Sequence, residues 1–175
     1  MRFSIFGLGH VGLTLAACLA DSGFQVLGYD VDEEKVHIIS NGRAPFYEPE
    51  LDILIEKAIS SERLRLVSDP EEAVLSSDIT FITVGTPEKS DGSVDLTHVN
   101  EVLKSIGSAL NWKKEYHLIV LRSTVPPGTS REAVKALEKI SGKKGGEDFG
   151  FCFNPEFLRE GNAVQDTLHP DRIII

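Results

Sequence analysis

This sequence predicts an α/β protein, a doubly wound and mostly parallel sheet with helices on both faces. Three observations lead there. Short β-prone runs alternate with helical patterns from one end of the chain to the other, and parallel neighbours need crossovers, which helices usually supply. The first β-prone run stops at a glycine-rich turn, Gly7-Leu8-Gly9-His10-Val11-Gly12, that opens a helix. With 175 residues, 41% of them hydrophobic and 26% charged, the chain is long enough for one domain with a sizeable core.

The elements follow in order. Arg2–Phe6 (RFSIF) is a β-prone run that ends at glycine. From Val11 to Ala20 the residues are small and apolar without proline, which suits a helix packed closely on a sheet, and Gly23 supplies its stop. Gln25–Tyr29 is the second strand. Asp32, Glu33 and Glu34 put acid at the start of a helix reaching about Ser40, where the helix dipole favours it. Asn41-Gly42 breaks that helix. Glu50–Ser60 carries Leu51, Ile55, Ala58 and Ile59 at helical spacing, and Leu64–Val67 is a third strand. Asp69 caps a helix whose first position is Pro70. Ile79–Val84 reads as a buried fourth strand and residues 86–96 as a polar loop. Thr97–Leu110 is a helix, Leu118–Leu121 the fifth strand, Ser130–Ile140 a helix and Gly142–Gly146 a flexible turn. Phe149–Phe153 and Arg172–Ile175 complete the series as strands. The apolar ending Ile173–Ile175 suggests a piece of a longer protein, with a naturally short chain as the alternative.

Composition excludes several classes. The formal net charge is −9, so nucleic acid and anionic membranes repel the chain. No apolar run approaches the length of a membrane span. The start MRFSIFGLG lacks the long apolar region of a signal peptide, and a cytoplasmic protein is expected. Cys18 and Cys152 sit in apolar surroundings and read as small buried hydrophobes rather than a disulfide framework. The five histidines, His10, His37, His98, His117 and His169, form no metal-ligand spacing with each other or with the cysteines. No metal is expected.

Gly7, Gly9 and Gly12 fit G-x-G-x-x-G between a strand and a helix, the context that gives this common pattern meaning. Gly7 permits the tight turn, Gly9 removes a side chain that would block a pyrophosphate, and Gly12 lets helix and strand approach. Asp30 ends the next strand, 18 residues beyond Gly12. An acid there accepts bonds from the adenosine ribose hydroxyls and repels a 2′-phosphate, so NAD is expected over NADP. These features make the fold a Rossmann-type dinucleotide-binding domain, with the ligand crevice between the first and fourth strands. Three further loops follow strands: Gly85-Thr86-Pro87, Arg122–Thr129 and Asn154-Pro155-Glu156. In an open α/β sheet all three line one crevice. Each is also ordinary turn chemistry, and Asn-Pro-Glu reads equally as a helix start. Lys35 is the cation nearest Asp30 in sequence, although a lone helical lysine is commonly a solvated surface residue.

Four segments together resemble a known family: Phe6–Gly12 with Asp30, Val84–Pro87, Ser123–Thr129, and Phe153–Gly161 (FNPEFLREG) continuing to Pro170-Asp171-Arg172. They are similar to the NAD-binding N-terminal domain of the UDP-glucose/GDP-mannose dehydrogenases, and the resemblance covers the whole chain. STVPPGT and NPEFLREG are far more specific than the glycine motif. The resemblance implies an oxidoreductase that converts the C6 alcohol of a nucleotide-bound sugar to a uronic acid with two NAD, in polysaccharide biosynthesis. It implies that Gly7, Gly9, His10, Val11 and Gly12 hold the pyrophosphate and that Asp30 and Lys35 hold the ribose. Thr86, Thr124 and Glu160 would contact the cofactor. Thr124 would also position water, and Glu156 would be the acid/base glutamate beside the reacting carbon. Glu156, Phe157, Leu158, Arg159 and Glu160 would contact the sugar nucleotide.

The chain also departs from the family. Members run to roughly twice this length or more, and their nucleophilic cysteine, catalytic lysine, dimer-forming helix and nucleotide-binding second domain all lie beyond the region matched here. The cysteine traps the aldehyde so that its oxidation gives a thioester, and Cys152 lies in the wrong motif. The chain alone is therefore expected to be inactive and monomeric, while full-length relatives are expected to be homodimers. His10 stands where many members carry tyrosine, a change that leaves backbone phosphate contacts intact. Two other readings stay open: a free-standing NAD-binding module, and a Rossmann dehydrogenase of small hydroxy acids. Gly161–Asp166 with His169–Ile173 leans slightly to the UDP-glucose branch, but the base-reading residues would lie in the second domain, so the choice of sugar stays open.

Overall fold

A computed structural model describes residues 1–175. Six strands form one sheet, β1 (Arg2–Phe6), β2 (Gln25–Tyr29), β3 (Leu64–Leu66), β4 (Ile79–Ile82), β5 (His117–Leu121) and β6 (Phe149–Phe153). Their spatial order is β3-β2-β1-β4-β5-β6 and every pairing is parallel. Seven helices cover it: α1 (His10–Asp21), α2 (Glu33–Ser40), α3 (Leu51–Ser60), α4 (Pro70–Leu75), α5 (Thr97–Trp112), α6 (Thr129–Ser141) and α7 (Ala163–Leu168).

Two apolar layers sandwich the sheet. Phe3 and Ile5 of β1 and Val26 of β2 pack with Leu13, Ala16 and Ala17 of α1, Leu51 and Ile55 of α3 and Val164 of α7. Phe6, Leu27, Ile82, Ile119 and Leu121 face the other way, onto Val99, Val102 and Ile106 of α5 and Ala133 and Leu137 of α6. Successive strand residues thus serve opposite layers, so both faces of a strand must be apolar. Fully burying each Ile or Leu contributes about 1.5–3 kcal/mol.

Local chemistry sets the boundaries. Asp69 accepts from the Glu71 backbone N–H, so the expected cap forms, and Asp32 caps α2 by accepting from that of Lys35. Gly23, at φ +97°, and the Ser22 C-cap end α1. Gly142 caps α6 in the left-handed conformation, and the turn after it is fastened by a bond from the Lys144 N–H to the Asp148 carboxylate.

Three expectations change. Arg172–Ile175 is not a strand. A strand needs paired backbone groups on a neighbour, and Ile174 instead accepts a bond from the Asn154 side chain, leaving the isoleucines exposed. Cys18 is buried, but Cys152 is only half-buried, because β6 is an edge strand. The α7 helix is additional. It is held by Glu48, a buried carboxylate that accepts from the backbone N–H groups of Gly161 and Ala163 at 2.8 and 2.9 Å, a contact across 113 residues that no local pattern reveals.

Candidate functional site

The chain order reverses between β1 and β4, which are neighbours in the sheet although two strands separate them in sequence. Such a switch point leaves a gap at the carboxyl ends of the strands. A cavity of about 590 Å³ occupies it, lined by Gly7, Gly9, His10, Val11, Asp30, Lys35, Thr83–Pro87, Ser123, Thr124 and Glu156 among others. The crevice between the first and fourth strands is where the sequence places it.

The glycines differ in what they allow. Gly7 lies at φ +94°, and a Cβ there would come within 2.9 Å of the Thr83 and Val84 backbone. A Cβ at Gly12 would sit 1.8 Å from the Gly7 carbonyl oxygen, so no other residue fits between helix and strand. Gly9 has an ordinary φ of −77° and nothing within 4 Å of its Cβ position. Its bare face adjoins open crevice, and that is the space a pyrophosphate needs. No side chain caps α1 and no acid stands in its first turn, so the helix offers its free N–H groups and positive end to an anion.

Asp30 closes the other end of this turn. Its Oδ2 accepts from the Leu8 N–H at 2.6 Å and from Lys35 Nζ at 2.9 Å, and its Oδ1 accepts from the Asp32 N–H. Burial pushes the carboxyl pKa upward, and the bonds from Lys35, Leu8 and Asp32 outweigh it, holding the group below the usual carboxylate range. It is therefore an anion where an adenosine ribose would lie.

The loops after β4, β5 and β6 are tied together. Ser123 Oγ donates to the Val84 carbonyl at 2.6 Å, and Thr86 Oγ1 donates to that of Thr124 at 2.8 Å. Arg122 Nη1 donates to Asn154 Oδ1 at 2.6 Å. These bonds bring Thr86, Thr124 and Glu156 to one cavity. Glu156 does not start a helix. It lies in irregular chain after β6, with Oε2 accepting from the Leu158 N–H at 2.6 Å. Phe157, Leu158 and Arg159 instead line a second cavity of about 390 Å³, together with Arg122, Asn154 and Arg172. Arg172 lies over the Phe157 ring at 4.8 Å, and Arg159 pairs with Asp166 at 2.6 Å. Glu160 is exposed and borders neither cavity, so the structure does not bring it to the cofactor crevice.

Several lining residues escape the sequence reading. His98, Glu101, Val102 and Ser105 of α5 form one wall, yet in sequence they look like any amphipathic helix. Phe46 stacks on His10 at 3.7 Å between ring centres and 25° between planes. Arg122, expected in the crevice with the loop after β5, borders both cavities.

A model of the UDP-glucose/GDP-mannose dehydrogenase family, NAD binding domain, matches residues 1–175. The chain belongs to the UDP-glucose/GDP-mannose dehydrogenase family. Its cofactor is NAD, the ligand of the matched domain, and the open face at Gly9 and the Asp30 anion suit it. Among curated members, the GDP-mannose 6-dehydrogenase of Pseudomonas aeruginosa is 46% identical over the whole chain, and the UDP-glucose 6-dehydrogenase of Haloferax volcanii is 42% identical. A crystal structure of a GDP-mannose dehydrogenase ternary complex from P. aeruginosa superposes with a TM-score of 0.97 at 45% identity over 99% of the chain. The chain spans 40% of the length of each of these dehydrogenases. No helix is long and apolar enough to cross a membrane, and no three His, Cys, Asp or Glu side chains gather as a metal site.

Proposed function

We propose that these 175 residues are the cofactor-binding part of a nucleotide-sugar 6-dehydrogenase, which oxidises the C6 alcohol of UDP-glucose or GDP-mannose to the uronic acid with two NAD. The observation that carries this reading is the arrival of Thr124 and Glu156 in the same cavity as the glycine turn and Asp30. A module that only stored NAD would have no use for a carboxylate there. When bound, NAD supplies the hydride acceptor. Asp30 and Lys35 hold its ribose, the α1 turn its pyrophosphate, and Thr86 and Thr124 its nicotinamide end. Glu156 acts as a base toward water, which Thr124 positions. Phe157, Leu158 and Arg159 orient the sugar nucleotide from the second cavity. Glu160, which is exposed, reaches ligand only if its loop moves.

The same reading places the protein in the cytoplasm, supplying uronic acids for polysaccharide assembly, with further chain providing the nucleophilic cysteine, the second domain and a dimer contact. Identities of 46% and 42% to GDP-mannose and UDP-glucose enzymes leave both sugars as substrates to be tried. The test is complementation. The chain is mixed with, or extended by, a family segment carrying the cysteine, and NADH absorbance is followed with each sugar. Two NADH per sugar with either substrate supports the proposal. NAD binding without turnover of either sugar in the complemented protein overturns it in favour of a binding module.

A further inference from the structure

We propose that Glu48 is the positioning residue of the sugar-nucleotide segment, fixing residues 157–173 beside the cofactor crevice, so that its loss weakens binding of the sugar nucleotide and spares that of NAD. The proposal rests on the dehydrogenase reading and adds a residue that lies outside both cavities.

Attachment comes first. Phe157, Leu158, Arg159, Asp166, Thr167 and Arg172 line the second cavity, and all belong to the chain that leaves the edge strand β6. Residues 155–175 make three hydrogen bonds to the chain before Asn154. The Gly161 N–H donates to Glu48 Oε2 at 2.8 Å, the Ala163 N–H to Glu48 Oε1 at 2.9 Å, and Gln165 Nε2 to Glu50 Oε2 at 3.0 Å. Their remaining bonds, such as Arg159 to Asp166 and Thr167 to the Ala163 carbonyl, stay within residues 154–175. Ala163 and Val164 are buried, Val164 in the layer under α1. Apolar burial holds α7 down but is non-directional. The two N–H bonds to Glu48 fix how the chain enters that helix.

The chemistry suits glutamate. Glu48 is only 5% exposed, a burial that this residue type tolerates only when paired. Two N–H donors need two acceptor oxygens on one side chain, and a carboxylate supplies both. The loop that carries Glu48 is firm. The Ala44 N–H donates to Asp52 at 2.7 Å, and Phe46 stacks on His10 at the start of α1. Glu48 therefore ties the second cavity's wall to the loop beside the glycine turn. Glu156 is held separately, because the Asn154 N–H donates to the Leu121 carbonyl and Arg122 grips the Asn154 side chain. Loss of the Glu48 bonds frees residues 157–173 and leaves Glu156 and the glycine turn in place.

The experiment uses the protein extended by the family segment that carries the cysteine and the second domain. Glu48→Gln keeps the volume but offers one oxygen and sets an NH2 group against the other donor. Its KM for the sugar nucleotide is expected to rise about tenfold, with kcat and the Kd of NAD each within about twofold of the unaltered protein. Amide hydrogen exchange at Gly161 and Ala163 is expected to quicken by about tenfold or more. Glu50→Gln retains an acceptor for Gln165 and is expected to change none of these. An unchanged sugar-nucleotide KM in Glu48→Gln overturns the proposal. Equal weakening of NAD and sugar nucleotide, or failure of that variant to fold, overturns it as well, by making Glu48 a support of the whole domain. An equal effect in Glu50→Gln overturns it by assigning the effect to the charge of the loop. No turnover of either sugar by the unaltered protein would remove the dehydrogenase reading and the proposal with it.

Discussion

The Asp30 carboxylate accepts the backbone N–H of Leu8 at 2.6 Å, so the tip of β2 holds the middle of the glycine turn that follows β1. One side chain therefore shapes the glycine turn and presents an anion where the proposed function puts the ribose. Asp30→Ala removes both functions. NAD affinity should fall by about 1.5–3 kcal/mol, the range for bonds to a charged group. Asp30→Asn keeps an acceptor for Leu8 and loses the charge, so its main effect should be a smaller preference for NAD over NADP. Calorimetry with both cofactors measures this, and an unchanged NAD/NADP ratio in Asp30→Asn would take Asp30 out of the ribose site.

Gly9 and Gly12 should fail in opposite ways. An alanine Cβ at Gly12 would overlap the Gly7 carbonyl oxygen at 1.8 Å, and the backbone must yield. Gly12→Ala should cost about 3 kcal/mol or more, comparable with severe overpacking of a core, and it should show as a large drop in Tm. Gly9→Val meets no protein atom within 4 Å of its Cβ position, so Tm should stay near wild type while NAD affinity falls at least about tenfold. Equal melting temperatures for the two variants would contradict this assignment.

Stability should depend on His117, at the opposite end of the sheet. Its Nε2 meets Thr80 Oγ1 at 2.7 Å in a buried chain that runs on through Ser4 to Ser77. Burial, with the Lys113 charge as a smaller contribution, lowers its pKa from 6.5 to about 4. The unfolded chain then binds the proton more readily than the native one. The stabilisation is fully present above about pH 6.5 and is lost as pH falls through about pH 4, a total of about 3 kcal/mol. Urea titrations at pH 7 and pH 4.5 should show most of that loss. In His117→Gln, the part of the slope between those pH values that is due to this residue should vanish.

Neither cysteine should act as a nucleophile at neutral pH. Burial, then the Asp21 charge, pushes the Cys18 thiol up to about 12, and burial raises Cys152 as well. A thiol so shifted carries almost no thiolate at pH 7. In the native chain, Cys18 should resist a thiol reagent that modifies it readily in urea, and the chain alone should not convert UDP-glucose or GDP-mannose to the uronic acid with two NADH per sugar. Two NADH per sugar from the isolated chain would require a different nucleophile.

Lys113 is buried, with Nζ donating to the carbonyls of Val74, Leu75 and Ser77 at 2.7–3.1 Å. It caps α4 from the end of α5. Lys113→Met fills similar volume but leaves these acceptors without donors, so it should destabilise the fold by about 2–3 kcal/mol, read as a lower urea midpoint with NAD affinity at pH 7 unchanged.

The cofactor half of the site was legible in the chain because its chemistry is local. Gly7, Gly9 and Gly12 have fixed spacing along one turn, Asp30 stands at the end of the next apolar run, and Asp32 and Asp69 cap helices through bonds two or three residues away. The alternation of strands and helices carries the parallel topology with it, since each crossover must return to the same end of the sheet. The rest depended on contacts between distant residues. Thr124 and Glu156 share a cavity because β5 and β6 pair in register and Arg122 reaches Asn154. Phe46 lies under His10, and Glu48 binds residues 113 and 115 positions away. Glu160, adjacent in sequence to residues that line the second cavity, points to solvent. Such placements follow from packing and from where buried polar groups find partners, quantities set by the whole fold, which is why the same letters also allowed a final strand at Arg172–Ile175 that the sheet does not accept.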